Sequence, residues 1–220
     1  MPGSGLTALQ RRILRGLADL RPSWTLTGGG ALVGFHLGHR ETRDLDLFWR
    51  ERSELGQLLA ESLDALRGHG LEVHSLRTAP AFAELQVSDG SDSCIVDLVA
   101  EPFPAIEAPA KVVVEDSTIA VDTRRELLAS KLATLLERSE IRDLADVKAL
   151  LDSGGDLEQG LRDAPAKDAG FSPLTLAWVL EGYDTRPAAT ALGLSDPRAE
   201  ELEAFRHWLI DRITTLTVPQ

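Results

Sequence analysis

The chain contains one cysteine, four lysines and no long apolar run. The lone Cys94 excludes an intramolecular disulfide framework and a cysteine-built metal site. A chain without disulfides is at home in a reducing compartment. No stretch approaches the ~20 apolar residues that a membrane helix needs. The opening MPGSGLTALQRRILRGL has no apolar run of signal-peptide length. These absences predict a soluble, cytoplasmic protein with no membrane contact. Positive charge is also short. Twenty-three Lys and Arg stand against 35 Asp and Glu, a net charge of −12, which argues against a broad basic face for nucleic acid. Arginine supplies all but four of the positive charges, the exceptions being Lys111, Lys131, Lys148 and Lys167. A lysine on an otherwise apolar helix face therefore needs a reason.

What is present is an ordinary globular mix, 43% hydrophobic and 26% charged over 220 residues, enough for one large domain or two small ones. Such a chain buries about 70% of the surface that its unfolded form exposes and needs no staples. The charge is uneven. Residues 1–50 carry seven Lys or Arg and four Asp or Glu, whereas the rest is strongly acidic. The N-terminal segment is where an anionic ligand meets a favourable local field.

Leu6, Leu9, Ile13, Leu17 and Leu20 recur at helical spacing over residues 6–20, which end before Pro22. Strand patterns are expected at 24–27, 44–49, 71–77, 82–88 and 94–100, with shorter ones at 111–114 and 118–121. DGSDS at 89–93 predicts a hairpin. Helices are expected at 31–38, at 53–69 with Ser53 as N-cap, and then at 124–138, 142–152, 172–183 and 198–216. The pattern is a mixed α/β first half and a helical second half. We place the boundary between residues 1–122 and 123–220.

Several groups could carry chemistry. Gly28-Gly29-Gly30 lies between a strand and a helix, where glycines let backbone N–H groups approach a phosphate. A plain tight turn is the alternative. Asp44 and Asp46 are two apart in a strand and share one face. Like charges held close repel unless a cation sits between them, and Mg²⁺ favours such hard oxygens; two solvated acids are the alternative. Asp97 interrupts the apolar run CIVDLVA and is costly there unless paired or metal-bound. It could complete a carboxylate triad or cap a turn. Lys131 lies in an apolar helix. At 100° per residue Arg138 and Arg142 each fall about 20° from it, and Asp146 about 60°, if the helix continues past Ser139-Glu140. That face reads as a triphosphate site or as a solvated stripe. Five histidines show no metal-binding spacing. Cys94, Trp178 and Trp208 are expected in the core.

Taken together, these strings resemble the AbiEii/AbiGii toxin family. The resemblance rests on Gly28-Gly29-Gly30-Ala31-Leu32, Gly38 through Phe48, Val96-Asp97-Leu98-Val99 with Pro102-Phe103-Pro104, and Glu126 through Lys131. Arg138 and Arg142-Asp143-Leu144-Ala145-Asp146 extend it. It covers residues 24–151 well and most of the chain loosely. It implies an α+β fold: a polymerase β-type nucleotidyltransferase core, a small mixed sheet with flanking helices, followed by a helical C-terminal half. It also implies Mg²⁺-dependent (or Mn²⁺-dependent) transfer of a nucleotide from an NTP to an acceptor. The acceptor end of tRNA is one target in the family, and an antitoxin is the usual partner.

By carry-over Asp44 and Asp46 bind metal, and Asp97 completes the metal site and serves as general base. Gly28, Gly29, Gly30 and Arg40 hold the nucleotide. Lys131 contacts phosphate or acceptor, helped by Arg138 and Arg142, and Asp143 and Asp146 orient these groups. One departure stands out. The family usually has Ser or Thr after the paired glycines; Gly30 removes that hydroxyl and leaves the backbone N–H groups. RNA phosphates would need local cations, for which Arg11, Arg12, Arg15, Arg40 and Arg43 are the obvious suppliers. The alternatives are a small-molecule acceptor, which the acidic surface favours, or a nucleotide-binding module that does not catalyse.

Overall fold

The computed structural model describes residues 5–217. The chain divides into two compact units, one ending at Leu127 and the other starting at Leu128.

The first unit is built on seven strands: β1 (Thr25–Thr27), β2 (Asp44–Arg50), β3 (Glu72–Ala79), β4 (Phe82–Ser88), β5 (Ser93–Glu101), β6 (Ala110–Val114) and β7 (Ser117–Val121). They form one sheet in the order β3-β4-β5-β2-β1-β7-β6. The β1–β7 and β2–β5 pairs are parallel and the rest antiparallel. Tight turns can join only antiparallel neighbours. The β3-β4-β5 meander therefore brings the chain back beside β2 in the same direction. The sheet is the mixed one expected for a nucleotidyltransferase core.

On β2, β4 and β5 burial alternates strictly. Leu45, Leu47 and Trp49, Ala83, Leu85 and Val87, and Cys94, Val96, Leu98 and Ala100 all face the core. Two helices, α1 (Ala8–Leu17) and α3 (Gln57–Gly68), pack on each other, and α1 also meets β5. Leu9, Ile13, Leu14 and Leu17 of α1 are fully buried, each contributing about 1.5–3 kcal/mol of transfer free energy. The start of α1 is fixed by a reciprocal capping box: Gln10 N–H donates to Thr7 Oγ1, and Thr7 N–H to Gln10 Oε1. Trp24 and Trp49 donate their indole N–H to Leu17 O and Pro22 O.

The helix after the glycines begins at Gly28 itself. One helical turn, α2 (Gly28–Ala31), passes into a wider π turn over Leu32–His36. Helix α3 starts three residues later than expected, because Gly56 and not Ser53 is its N-cap. Cys94 lies in the core as expected, and burial pushes its thiol pKa up to about 12, with Asp44 adding to the effect.

Helix α4 (Arg124–Arg138) has the expected bounds and runs across the division. The second unit continues with α5 (Ile141–Asp152), α6 (Leu157–Asp163), a 3₁₀ turn at Ala164–Ala166, α7 (Pro173–Glu181), α8 (Thr185–Ala191) and α9 (Asp196–Thr217). Helix α9 packs on α5, α7 and α8. Gly160 lets α6 lie against α4, since a Cβ there would come within 3.0 Å of Leu128 and Leu132. The buried Arg206 donates to Leu180 O at the end of α7.

Two features of this unit differ from expectation. Helices α6 and α8 have no clear signal, since LEQGLRD carries a central glycine and TRPAATA has little apolar periodicity. Trp178 and Trp208 are not core residues. They are 71% and 47% exposed, Trp208 stacking on Phe205 at 5.5 Å between ring centroids. No helix among the described residues is long and apolar enough to cross a membrane.

Candidate active site

The first group of site residues is set by sheet register. Asp46 pairs with Asp97 across the parallel β2–β5 ladder, and Thr27 pairs with Asp46 across β1–β2. On the other side Asp97 pairs with Glu84 of β4, and Glu84 with Arg77 of β3. Arg77-Glu84-Asp97-Asp46-Thr27 thus forms one cross-strand row. Asp44, two residues before Asp46, lies on the same half-exposed face, opposite Ile95. At one end of the row Arg77 grips Glu84 at 3.0 and 3.2 Å.

Asp97 carries the electrostatic strain of the row. Its pKa is pushed up to about 6, first by burial and then by Asp46, Glu84 and Asp44, with Arg77 opposing them. Its Oδ1 is buried and accepts no hydrogen bond among the described residues.

The glycine turn meets the row at Asp46. Gly28 has φ +58°, and a Cβ on it would overlap Asp46 Oδ2. Only glycine tolerates both the conformation and the contact. A Cβ on Gly29 would lie 3.0 Å from Thr42 Oγ1 and 3.1 Å from Arg40 Nη2. The structure therefore brings Gly28, Gly29, Gly30, Arg40, Asp44, Asp46 and Asp97 together in the first unit.

Among the described residues no group of three or more His, Cys, Asp or Glu side chains is arranged to hold a metal ion. The donor chemistry still fits a hard cation: oxygen ligands of like charge, one of them buried with no partner among the described residues. Mg²⁺ is commonly held by only one or two carboxylates, with substrate phosphates completing the shell.

The second group lies in the second unit. Lys131, 9% exposed, places Nζ 2.7 Å from Asp143 Oδ1 and 2.9 Å from Asp146 Oδ2. Burial alone would lower its pKa, but Asp146 and Asp143 outweigh it and raise the value. Arg138 Nε binds Asp143 Oδ2 at 2.9 Å. The chain breaks at Ser139, whose φ is +46°, and α5 starts afresh. Arg142 therefore lies exposed on a separate helix and not on the Lys131 face. Tyr183 has a buried hydroxyl with no partner among the described residues. Its pKa is pushed up to about 12 by burial, then by Glu140 and Asp143.

One charged cluster escaped the sequence reading. Arg50, at the end of β2, binds Asp122 at 2.6 Å and Glu126 at 2.7 Å, and both acids are fully buried. Glu126 also accepts Ile106 N–H at 2.7 Å, and His36 Nε2 lies 2.7 Å from Asp122 O. The available signal was the spacing: Arg50 shares the alternate face of β2 with Asp44 and Asp46, and Asp122 and Glu126 are four apart where α4 begins. Three arginines offered for RNA are engaged within the protein. Arg11 binds Leu6 O, Arg12 binds His69 O and Gly70 O, and Arg15 binds Glu115.

A family model described as nucleotidyl transferase AbiEii toxin, type IV toxin–antitoxin system, matches residues 12–211. The chain belongs to the AbiEii family. It is a nucleotidyltransferase toxin by that membership, and membership in a type IV system implies an antitoxin partner. No curated protein matches the chain. Solved structures share the AbiEii fold. MenT4, a nucleotidyltransferase toxin from Mycobacterium tuberculosis H37Rv, is 21% identical with a TM-score of 0.63, covering 96% of this chain and 82% of that one. JHP933 from Helicobacter pylori is 19% identical with a TM-score of 0.52, covering 94% and 91%. An antigenic nucleotidyltransferase-like protein from Paracoccidioides brasiliensis is 14% identical with a TM-score of 0.50, covering 82% and 88%.

Proposed function

We propose that this AbiEii protein moves a nucleotide from an NTP to the acceptor end of tRNA with the help of Mg²⁺ or Mn²⁺. The observation that carries the reading is the pairing of Asp46 with Asp97 beside the glycine turn. In nucleotidyl transfer an acceptor hydroxyl attacks the α-phosphorus, the bond to the β-phosphate oxygen breaks and pyrophosphate leaves. Asp97, opposite Asp46 in the register, takes the hydroxyl proton as general base. Asp44, Asp46 and Asp97 would hold the divalent cation, which supplies neutralisation of the charge that builds on the phosphates. Gly28, Gly29, Gly30 and Arg40 hold the triphosphate.

In the second unit Asp143 and Asp146 keep Lys131 charged and in place, and Arg138 and Arg142 lie exposed. A second reading, a small-molecule acceptor, is favoured by the net charge of −12 and by the internal engagement of Arg11, Arg12 and Arg15.

The test is incubation of the protein with Mg²⁺ and each of four α-labelled NTPs, with total RNA in one arm and an aminoglycoside in the other. Label on a tRNA band supports the proposal. Label on the aminoglycoside alone replaces the acceptor. No label with any NTP contradicts catalysis and leaves a binding module.

A further inference from the structure

The sheet face that carries the acid row also carries an apolar row beside it. Phe82 of β4 pairs with Val99 of β5, and Val99 with Phe48 of β2. Each is two residues from an acid: Phe82 from Glu84, Val99 from Asp97, Phe48 from Asp46. Two residues along a strand return to the same face about 6.6 Å away. The residues between, Ala83, Leu98 and Leu47, are fully buried in the core. Phe82, Val99 and Phe48 are only half-buried. The chain has six phenylalanines, and two of them stand in this one row.

The two rings are held in place. Arg77 Cζ lies 5.5 Å from the centroid of Phe82, and its guanidinium is gripped by Glu84. Arg50 Cζ lies 5.9 Å from the centroid of Phe48, and its guanidinium is gripped by Asp122 and Glu126. A cation over an aromatic face attracts the ring, and these cations are themselves fixed. A surface ordered in advance takes a flat partner with little further loss of side-chain entropy.

The two sides of the acid row differ. On one side lie Asp44 and the glycine turn, and on the other lies the apolar row. The attacking and leaving oxygens of phosphoryl transfer are roughly in line across the phosphorus. With the triphosphate at the glycine turn, the acceptor enters from the apolar side. Its hydroxyl has to come within hydrogen-bond reach of Asp97, and Val99 is the next residue on that face. A nucleobase has a flat π-face to lay on such a row. A polycationic sugar has none, and only the acids would attract it.

We infer that Phe82, Val99 and Phe48 form the platform for an unpaired nucleobase of the acceptor, that of the terminal nucleotide whose hydroxyl Asp97 deprotonates. The inference rests on the nucleotidyltransferase reading above and adds what the acceptor must present: a base free to stack.

The experiment is steady-state transfer by the full chain from the best-used α-labelled NTP to an RNA minihelix with a single-stranded 3′ end. The terminal nucleotide is either intact or abasic, an aminoglycoside serves as a third acceptor, and melting temperatures are recorded for every variant. Removing the base should raise the wild-type KM for RNA about tenfold or more, the scale of one base–aromatic stack. Phe48→Leu/Phe82→Leu keeps the apolar bulk and loses both rings. It should raise the KM for intact RNA to a similar extent and leave the KM for abasic RNA and for NTP unchanged. Each single Leu variant should fall between, and Phe48→Tyr and Phe82→Tyr should recover most of the affinity. A folded double Leu variant with the wild-type KM for intact RNA overturns the inference. So does an equal rise for intact and abasic RNA, because the rings then act on something other than the base. Transfer to the aminoglycoside and not to RNA overturns the platform and keeps nucleotidyl transfer. No transfer to any acceptor overturns the nucleotidyltransferase reading, and the inference with it.

Discussion

Asp46 and Asp97 stand directly opposite each other on the neighbouring parallel strands β2 and β5. Neither strand could place two acids there without cost. The cost is visible in the raised pKa of Asp97 and in its buried oxygen, which has no hydrogen-bond partner among the described residues. A cation or a proton relieves it.

The sign of the Asp97 shift gives a pH prediction. A folded pKa of about 6 lies above the ~3.9 of an unfolded aspartate, so the folded state binds the proton more tightly. Stability of the metal-free protein from this group is greatest below about pH 4 and is lost as pH rises to about 6. Asp97→Asn should therefore stabilise the metal-free protein at pH 7.5 by about 1–2 kcal/mol, after discounting for partial exposure. At pH 4 the gain should vanish. Urea melts at the two pH values check this; a variant less stable than wild type at pH 7.5 contradicts it.

Gly28 should not tolerate a side chain. Its φ of +58° and its contact with Asp46 make Gly28→Ala unfavourable by about 1–3 kcal/mol. The same change should abolish transfer, because the added methyl displaces the carboxylate. A fully active Gly28→Ala protein would detach the turn from the site.

Lys131→Met should be more damaging than a surface change. It leaves Asp143 and Asp146 buried near each other without their ammonium, a loss of about 3–5 kcal/mol. Denaturant unfolding measures it. A loss within about 0.5 kcal/mol would mean that the cluster is solvated.

Trp178→Ser should be nearly neutral, within about 0.5 kcal/mol, since the side chain is 71% exposed. A core tryptophan would cost about 3–5 kcal/mol, so thermal unfolding separates the two cases clearly.

Much of the fold is legible in the sequence where local and tertiary signals agree. Helix α4 is bounded at both ends as read, and strands β2, β4 and β5 follow period-2 alternation because one face is buried. Helices α6 and α8 are not legible, because packing against α4 and α9 holds segments of weak apolar pattern. Trp178 misleads for a related reason. α7 is apolar almost all round, so periodicity cannot say which face is covered. At the site, the i, i+2 rule puts Asp44 and Asp46 on one face. The pairing of Asp46 with Asp97 depends on long-range register, and no local pattern encodes it. The pairing of Lys131 with two aspartates is equally tertiary, since it needs the break at Ser139 and the return of α5.

The most direct test is transfer of label from an α-labelled NTP to purified tRNA in Mg²⁺, comparing wild type with the Asp44→Ala/Asp46→Ala double variant of matched circular dichroism. The account predicts label on tRNA with wild type and a loss of at least about a thousandfold in the variant, the scale set by removing charge stabilisation at a reacting phosphate. Undiminished transfer by the folded variant would contradict it.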